Sequence, residues 1–351
     1  MNQQSVVAIS AFSGCGGLDV GSHMAGIPIV VALDSDKDCI ATLRANKQFS
    51  NTAIWHRDIK DIPLADYLDA LRPHKDKKLI LVGGPPCQPF SKNGYWVTNA
   101  ARKVSRDPKN MISDYLRLLK VLKPDGFLLE NVESILHPTN KHMVSNIRRY
   151  LTRHKYFTLV INSNALDYGV AQKRKRVFIL GSRYPFEDKY PQKTHCSPEY
   201  SEEFGLTPYV SCGSVIAKFR SKRFFEPWEV TDGGTYADDL YEVPPGQNYI
   251  ALTARRNYPN PKFVAGARFW NFLLKLHPEM PSWTIPAQPG PWVGPFHWSS
   301  RRLRIPEIAA IQTFPESYKF IGSRRSIQRQ IGNAVPPILG KAMIQHLIKF
   351  I

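Results

Sequence analysis

Cysteine is scarce in this sequence of 351 residues, which contains only Cys15, Cys39, Cys87, Cys196 and Cys212. Cysteines that are so few and so scattered exclude a disulfide framework. Because none of them forms a CxxC pair, their spacing predicts no metal site. We therefore expect free thiols, one of which could be reactive.

Long apolar runs are also missing, since no segment approaches the roughly 18 residues needed to cross a bilayer. The opening MNQQSVVAIS lacks the basic stretch followed by an apolar one that is typical of a secretion signal. Internal repeats and low-complexity tracts are absent from the sequence as well. These features predict a cytoplasmic protein without a membrane partner.

Acidic residues are outnumbered, because Lys and Arg total 47 against 29 Asp and Glu and give a net charge of +18. Such an excess favours a polyanionic partner, with nucleic acid ahead of an acidic membrane surface. The composition, 43% hydrophobic and 22% charged, is typical of a globular chain. At this length we expect one large core with a smaller appended domain.

Between Val6 and Arg183, short apolar runs alternate with stretches whose apolar residues recur every three or four positions. This alternation predicts an α/β fold with a doubly wound, mostly parallel sheet of the Rossmann-like kind. Strands are predicted at Val6–Phe12, Ile29–Asp34, Thr52–Trp55, Leu79–Val82, Phe127–Asn131, Phe157–Asn162 and Val177–Ser182. Helices are predicted at Asp36–Asn46, Leu64–Leu71, Ile112–Leu122 and His142–His154.

The composition changes after Arg183, where Pro, Tyr, Gly and basic residues increase and segments such as Tyr241–Asn248 are typical of loops. An apolar helical pattern returns in Pro337–Phe350, which indicates that the chain comes back to pack on the first domain. We therefore predict one domain formed by residues 1–183 and 325–351, and a smaller, irregular domain formed by residues 184–324.

The first predicted strand runs into a glycine-rich turn, FSGCGGLDVG, that would let the backbone approach a ligand near a helix N-terminus. Asp34 closes the second strand and Asp58 follows the third; acids at such positions accept hydrogen bonds from ribose hydroxyls. These strand ends predict a crevice for a nucleotide-like cofactor. The pattern alone leaves open a purely structural turn, and an NAD-dependent oxidoreductase would share it.

The fourth predicted strand leads into GGPPCQPFS, residues 83–91, which puts Cys87 in a turn made rigid by Pro85, Pro86 and Pro89. A buried, inert cysteine is the usual alternative for a lone thiol, but the three prolines favour a positioned nucleophile. Because a free thiol is mostly protonated at neutral pH, such a site must lower the thiol pKa or accept its proton during attack.

Charged residues accompany the next strands. Glu130, near the end of the fifth, could hold a proton at a ring nitrogen of a pyrimidine, or could cap a helix. In QKRKR, residues 172–176, the alternation of an extended segment would put Gln172, Arg174 and Arg176 on one face. The two guanidinium groups could bind a base carbonyl and a phosphate there. A solvated basic turn is the alternative.

Taken together, these segments resemble those of the DNA (cytosine-5) methyltransferases, the family found in bacterial restriction-modification systems. FSGCGG resembles the first motif of that family, GPPCQPFS its nucleophile motif, ENV its acid motif and NALDYGVAQKRKR its arginine motif. SRRLRIPEIAAIQTFP and QIGNAVPP resemble the last two. The motifs occur in family order along nearly the whole chain, around a variable stretch at about 184–281 where the target-recognition region would lie.

The resemblance implies a fold that binds S-adenosyl-L-methionine and releases S-adenosyl-L-homocysteine. Cys87 would be the catalytic nucleophile, Glu130 the partner of cytosine nitrogen 3, and Arg174 and Arg176 the residues that bind the flipped base and its phosphate. Two positions depart from the family pattern: Asp34 stands where Glu is usual, and Ser35 where a Trp often packs on adenine. The implied cofactor contacts are Phe12, Ser13, Gly14, Cys15, Gly16, Gly17, Asp34, Ser35, Asp58, Ile59, Pro85, Asn333 and Val335.

The implied reaction methylates carbon 5 of a cytosine in duplex DNA. Cys87 would add to carbon 6 of a base flipped out of the helix, carbon 5 would take the methyl group, and loss of the carbon 5 proton would release the enzyme. The loop Ser91–Pro108 would act as a lid. Candidate DNA contacts are Gln172, Arg255, Arg256 and Arg268, with Phe269, Trp270 and Phe272 as either contacts or a packing patch.

The resemblance further implies a monomeric bacterial enzyme associated with the nucleoid, with a restriction endonuclease acting on the same site as a candidate partner. One alternative is methylation of transfer RNA by the same residues, and another is a catalytically silent DNA-binding module. The bulky variable region favours duplex DNA over transfer RNA. The intact Cys87, Glu130, Arg174 and Arg176 favour an enzyme.

Overall fold

The computed structural model describes residues 5–86, 111–187 and 190–351; Cys87 and the predicted lid Ser91–Pro108 lie outside the described residues. Within this part of the chain the main sheet has seven strands. Two further pairs of short strands form, one between residues 172–173 and 282–283 and the other between residues 195–196 and 207–208. The strands are β1 Val6–Ala11, β2 Ile29–Asp34, β3 Ala53–His56, β4 Lys78–Gly83, β5 Gly126–Val132, β6 Phe157–Asn164, β7 Gln172–Lys173, β8 Lys175–Ser182, β9 His195–Cys196, β10 Thr207–Pro208 and β11 Ser282–Trp283.

Helices cover both faces of the sheet, and none of those described is long and apolar enough to span a membrane. Two of the predicted helices, Leu64–Leu71 and Ile112–Leu122, begin and end where the sequence pattern indicates. The α-helices are α1 Gly17–Met24, α2 Lys37–Arg44, α3 Leu64–Leu71, α4 Ile112–Leu122, α5 Lys141–Arg153, α6 Ser201–Phe204, α7 Cys212–Ile216, α8 Ala237–Glu242, α9 Ile305–Ile311, α10 Arg324–Asn333 and α11 Pro337–Leu347.

The main sheet has the strand order β3-β2-β1-β4-β5-β8-β6. Strands β1 to β5 pair in parallel, whereas β8 runs antiparallel to both β5 and β6. The predicted mostly parallel, doubly wound sheet is thereby confirmed. The strand order reverses between β1 and β4, which is the place where ligands bind at the carboxyl edge of such sheets.

Some boundaries differ from the sequence prediction for identifiable reasons. Helix α2 begins at Lys37 because the side chain of Asp36 caps it by accepting hydrogen bonds from two backbone N–H groups. Strands β6 and β8 are longer than predicted because they remain paired as far as Asn164 and Lys175. Polar residues at their ends concealed this extension from an apolar pattern.

The core of the sheet lies in two apolar layers, one on each face. Side chains alternate across β1, so Val6 and Ala8 pack in one layer with α1 and α11, while Val7 and Ile9 pack in the other with α3, α4 and α5. All of these β1 side chains are at most 2% exposed. Strand β1 is therefore a fixed base for the turn that follows it.

A separate apolar cluster lies in the chain between Leu240 and Phe296. It is largely aromatic, and Tyr249 and Phe263 each pack edge-on against Phe272. Residues farther along the chain, from Leu303 to Tyr318, instead join the layer that contains α1 and α11. The predicted division of the chain at residues 184–324 stays a prediction, with this cluster as the centre of the smaller domain.

Buried ion pairs attach the segment around Glu229 to the beginning of helix α9. Arg304, 6% exposed, binds both carboxylate oxygens of Glu229 and donates to two backbone carbonyl groups near residue 220. Arg301 binds the fully buried Glu307 through hydrogen bonds of 2.8 and 2.6 Å. Because each buried charge has an opposite charge and hydrogen-bond partners, the cluster is stable as a unit, and losing one member would be costly.

We expect Glu229→Gln to lower the free energy of unfolding by about 3 kcal/mol, because it leaves the guanidinium of Arg304 buried without its anion. Urea denaturation of the purified protein would measure this loss. Glu316→Gln is the matched control, since Glu316 pairs with Lys218 at the exposed surface and should change stability little. Equal losses for the two variants would contradict a special role for the buried cluster.

Candidate active site

The turn between β1 and α1 is built from residues with positive φ. Phe12, Gly14 and Gly16 have φ values of 56°, 54° and 86°, a region that non-glycine residues rarely adopt. A Cβ built on Gly14 meets no described atom within 4 Å, whereas one on Gly17 would lie 2.3 Å from the carbonyl oxygen of Val335. Gly17 therefore allows the C-terminal segment to approach, and Gly14 borders open space.

Asp34 holds this turn in place. Its Oδ2 accepts a hydrogen bond from the backbone N–H of Gly14 at 2.8 Å, and its Oδ1 accepts one from Asp36 at 2.8 Å. Burial raises the pKa of the Asp34 carboxyl. A carboxylate has about four lone-pair directions, so these two contacts leave acceptor capacity for a ligand. Ser35, next along the chain, is exposed.

The other predicted cofactor residues lie on several elements. Asp58 accepts a hydrogen bond from the backbone N–H of Lys60, and Ile59 is 2% exposed. Pro85 is buried beyond the end of β4. In the buried parts of the glycine turn, Ser13 is 9% exposed and the thiol of Cys15 contacts a backbone carbonyl of α10. Helix α10 ends at the exposed Asn333, two residues before the buried Val335.

Glu130 and Arg176 form an ion pair at the end of β5. Arg176 Nε lies 2.8 Å from Glu130 Oε1, and the side chains are 14% and 12% exposed. Burial raises the pKa of the Glu130 carboxyl, although the guanidinium groups of Arg176 and Arg174 oppose that shift. The backbone of Gly84 lies against the same carboxylate, since a Cβ built there would be 2.9 Å from Oε2.

Arg174 is fully buried and binds backbone rather than surface. Its Nη2 donates to the carbonyl oxygens of Gly332 and Ala334 at 2.7 and 2.9 Å. Its charge nevertheless lies close enough to interact with Arg176 and Glu130. The burial, however, was not predicted, and it makes Arg174 a support of the C-terminal segment.

Gln172 shares neighbours with Arg174, since both side chains contact the backbone of Ile285. Its side chain is 0% exposed, with Nε2 bonded to Gln312 and Oε1 accepting from the backbone N–H of Ile285 at 2.9 Å. Both ends of the amide are used within the protein. The predicted contact of Gln172 with DNA stays a prediction; in this structure the residue joins β7 to the segment that follows β11.

The predicted DNA-reading arginines lie on the surface of the protein. Arg255, Arg256 and Arg268 are exposed. Phe269 is 75% exposed and Trp270 49%, whereas Phe272 is buried at 8%. Phe272 belongs to the buried aromatic cluster, whereas Phe269 and Trp270 are exposed.

Trp270 connects this surface to the segment that carries Arg174. Its ring packs edge-on against Trp283 with centroids 4.4 Å apart, and Nζ of Lys173 lies 4.6 Å from the centroid of Trp283. Lys173 immediately precedes Arg174. The exposed aromatic pair Phe269 and Trp270 thus stands beside the segment that carries the arginines.

Sequence reasoning missed Asp19, Ser10 and Tyr318. Asp19 is fully buried in the first turn of α1 and accepts a hydrogen bond from the hydroxyl of Ser10. Tyr318 donates its hydroxyl to the carbonyl of Cys15 at 2.7 Å. A signal for Asp19 was present, because an acid inside the apolar pattern of GLDVG is unusual.

Known proteins are similar to this sequence over nearly its whole length. The chain is 36% identical to the type II methyltransferase M.SacI of Streptomyces achromogenes, over 99% of this chain and 94% of that protein. It is 31% identical to the type II methyltransferase M.NgoFVII of Neisseria gonorrhoeae, over 94% of this chain and 83% of the relative.

Solved structures share the fold. A DNA modification methyltransferase encoded within a prophage of E. coli aligns with a TM-score of 0.71 at 20% identity, covering 99% of both chains. The S. pombe Dnmt2 methyltransferase aligns with a TM-score of 0.64 at 16% identity, covering 98% of both. The sequence profile of the C-5 cytosine-specific DNA methylases matches residues 6–349. This protein therefore belongs to the C-5 cytosine-specific DNA methylase family and is a DNA (cytosine-5) methyltransferase.

Proposed function

We propose that this enzyme transfers the methyl group of S-adenosyl-L-methionine to one cytosine of a short duplex DNA sequence, through a covalent bond to Cys87. The observation that carries the proposal is the position of the Glu130–Arg176 ion pair against Gly84. Only three peptide units separate Gly84 from Cys87, so the two Cα atoms are at most about 11 Å apart. This chain length allows a thiol at position 87 to act at the edge of the sheet where Glu130 lies.

The glycine turn and its surroundings fit the cofactor. The open space beside Gly14 admits a ligand, and the remaining acceptor capacity of Asp34 suits ribose hydroxyls. Phe12, half-buried in the same turn, offers an aromatic face to adenine. When bound, the cofactor supplies an electrophilic methyl group. We propose that Asp58, Ile59, Pro85, Asn333 and Val335 complete the walls of this site.

At the base, Cys87 forms a bond to carbon 6 and Glu130 holds a proton at nitrogen 3. The raised pKa of Glu130 suits this task, since an ordinary carboxyl gives up its proton too readily near neutral pH. Arg176 orients the carboxylate and presents its remaining N–H donors to the base carbonyl or phosphate. Arg174 acts indirectly, by holding the carbonyl groups of residues 332 and 334.

The smaller domain reads the DNA sequence. Arg255, Arg256 and Arg268 supply exposed donors for phosphates and base edges. The exposed rings of Phe269 and Trp270 supply apolar surface next to the arginine segment. Large apolar side chains that are exposed together commonly mark a binding surface. The net charge of +18 attracts duplex DNA over a longer range.

The biological setting follows from the relatives. Because M.SacI and M.NgoFVII are named type II methyltransferases, we propose that this enzyme acts as a monomer in the bacterial cytoplasm and protects a site recognised by a restriction endonuclease. A methylation map of DNA from cells that express the protein would identify the site. Methyl transfer to transfer RNA, but not to DNA, would overturn the proposal.

Cys87→Ser is expected to abolish methyl transfer to duplex DNA and covalent trapping on DNA that contains 5-fluorocytosine, because a hydroxyl is a much weaker nucleophile than a thiolate. Transfer of labelled methyl groups and gel-shift of the trapped complex measure the two effects. Cys196→Ser, a change in β9 away from this edge, should leave both intact. Full activity of Cys87→Ser would refute the assignment.

Glu130→Gln is expected to slow methyl transfer by about 100-fold, which is the contribution of a positioned proton carrier. Single-turnover kinetics should show the loss, while binding of S-adenosyl-L-homocysteine stays unchanged. Glu133→Gln removes an exposed carboxylate three residues away and should keep the wild-type rate. A normal rate for Glu130→Gln would mean that Glu130 takes no part in proton transfer and serves only to cap a helix or to pack against its neighbours.

Replacing both Arg255 and Arg256 by Ala should weaken binding to the target duplex by about 10-fold or more and leave cofactor binding unchanged. Fluorescence anisotropy at one fixed salt concentration gives the DNA affinity, and calorimetry gives the cofactor affinity. Arg148 and Arg149 provide the matched control, as an adjacent exposed pair on α5, the helix that packs on the other face of the sheet. Equal effects of the two double variants would argue for nonspecific attraction alone.

A further inference from the structure

A buried acid stands directly behind the glycine turn. Asp19 is 0% exposed; its Oδ2 accepts a hydrogen bond of 3.1 Å from Ser10, and its Oδ1 has no hydrogen-bond partner among the described residues. Burying an ionised carboxylate without a compensating partner is costly. The fold therefore keeps an incompletely satisfied acid at this position.

Two hydroxyl groups connect that acid to the turn. Ser13 Oγ donates to Ser10 Oγ at 2.9 Å, and Ser10 Oγ donates to Asp19 Oδ2 at 3.1 Å. Ser13 precedes Gly14, which borders the open space of the proposed cofactor site. A polar path thus runs from the interior of the sheet to the turn.

The titratable groups around Asp19 supply no positive charge. Those that interact with it are Asp34 at the end of β2, Cys15 in the turn and Tyr318 beyond α9. Burial raises the pKa of the Cys15 thiol and of the Tyr318 hydroxyl, so both stay neutral near pH 7. The partly buried Asp34 adds negative charge instead. Within the described part of the chain, the titratable groups that interact with the Asp19 carboxyl therefore include no cation to balance its charge.

Building on the proposed cofactor site, we propose that Asp19 is the counter-charge for the ammonium group at the amino-acid end of the cofactor, and that binding of this group expels one proton from the protein. Ser10 and Ser13 link the two charges. In this arrangement Asp34, which accepts a hydrogen bond from Gly14, binds the adenosine end of the cofactor. Asp19 is a positioning residue, because it acts through the serine hydroxyls.

The direction of the coupling follows from the charges. Burial raises the pKa of Asp19 to about 7, so in the free protein the carboxyl is mostly protonated below pH 7. A cation nearby favours the ionised form, which means that binding lowers this pKa and releases the proton. Affinity for the cofactor should therefore rise with pH up to about pH 7 and level off above it.

Calorimetry with S-adenosyl-L-homocysteine tests the proposal. Titrations of the full chain in buffers of different ionisation enthalpy report the protons released on binding. We expect roughly 0.9 proton at pH 6 and roughly 0.1 at pH 8 for a group of pKa about 7 that ionises on binding. Binding without proton release would overturn the inference and leave the proposed function standing. No binding at all would refute the cofactor assignment itself.

Variants identify the residue that releases the proton on binding. Asp19→Asn should abolish the proton release, whereas Asp34→Asn should weaken binding but keep the release. Ser10→Ala removes a hydrogen bond that lowers the pKa of Asp19, so the midpoint of proton release should move to higher pH. The Ser10→Ala variant decides the matter if Asp19→Asn does not fold. Release that survives in Asp19→Asn, disappears in Asp34→Asn, or keeps its midpoint in Ser10→Ala would exclude Asp19.

Discussion

The contact of residues 332–335 with the beginning of the chain is the constraint on which the rest of the site depends. Gly17 admits the carbonyl oxygen of Val335, and the buried guanidinium of Arg174 holds two further carbonyl groups of this segment. Losing these two carbonyl groups would leave further buried donors of the guanidinium without acceptors, which is costly. The segment therefore fixes Arg174, the glycine turn and the end of α10 at once, although these lie far apart in the sequence.

The antiparallel direction of strand β8 determines at which edge of the sheet Arg176 lies. Residues that follow strands β1 to β5 all reach the carboxyl edge, but Arg176 lies near the start of its strand. Because β8 runs opposite to β5, with Arg176 paired to Val132, its beginning lies at that same edge. A parallel strand would carry Arg176 to the far side of the sheet, away from Glu130. The reversed direction of β8 thus brings the side chains of Glu130 and Arg176 together.

Much of the fold could be predicted from the sequence, because strand ends and helices such as Leu64–Leu71 depend on local patterns. The burial of Gln172 could not, since alternation shows which face a side chain shares but not what covers that face. Its cover comes from Ile285 and Gln312, more than a hundred residues away. The burial of Asp19 could not be predicted for the same reason, because its surroundings are formed by β1, β2 and the segment after α9.

The aromatic cluster between Leu240 and Phe296 has its own interior, because Tyr249, Phe263 and Phe272 pack chiefly on one another. Its outward-facing side chains can change without disturbing the layers around the sheet. Selection can therefore alter the outer surface of this module while the chemistry stays constant. An enzyme built in this way can diverge in what it reads long before it diverges in what it does.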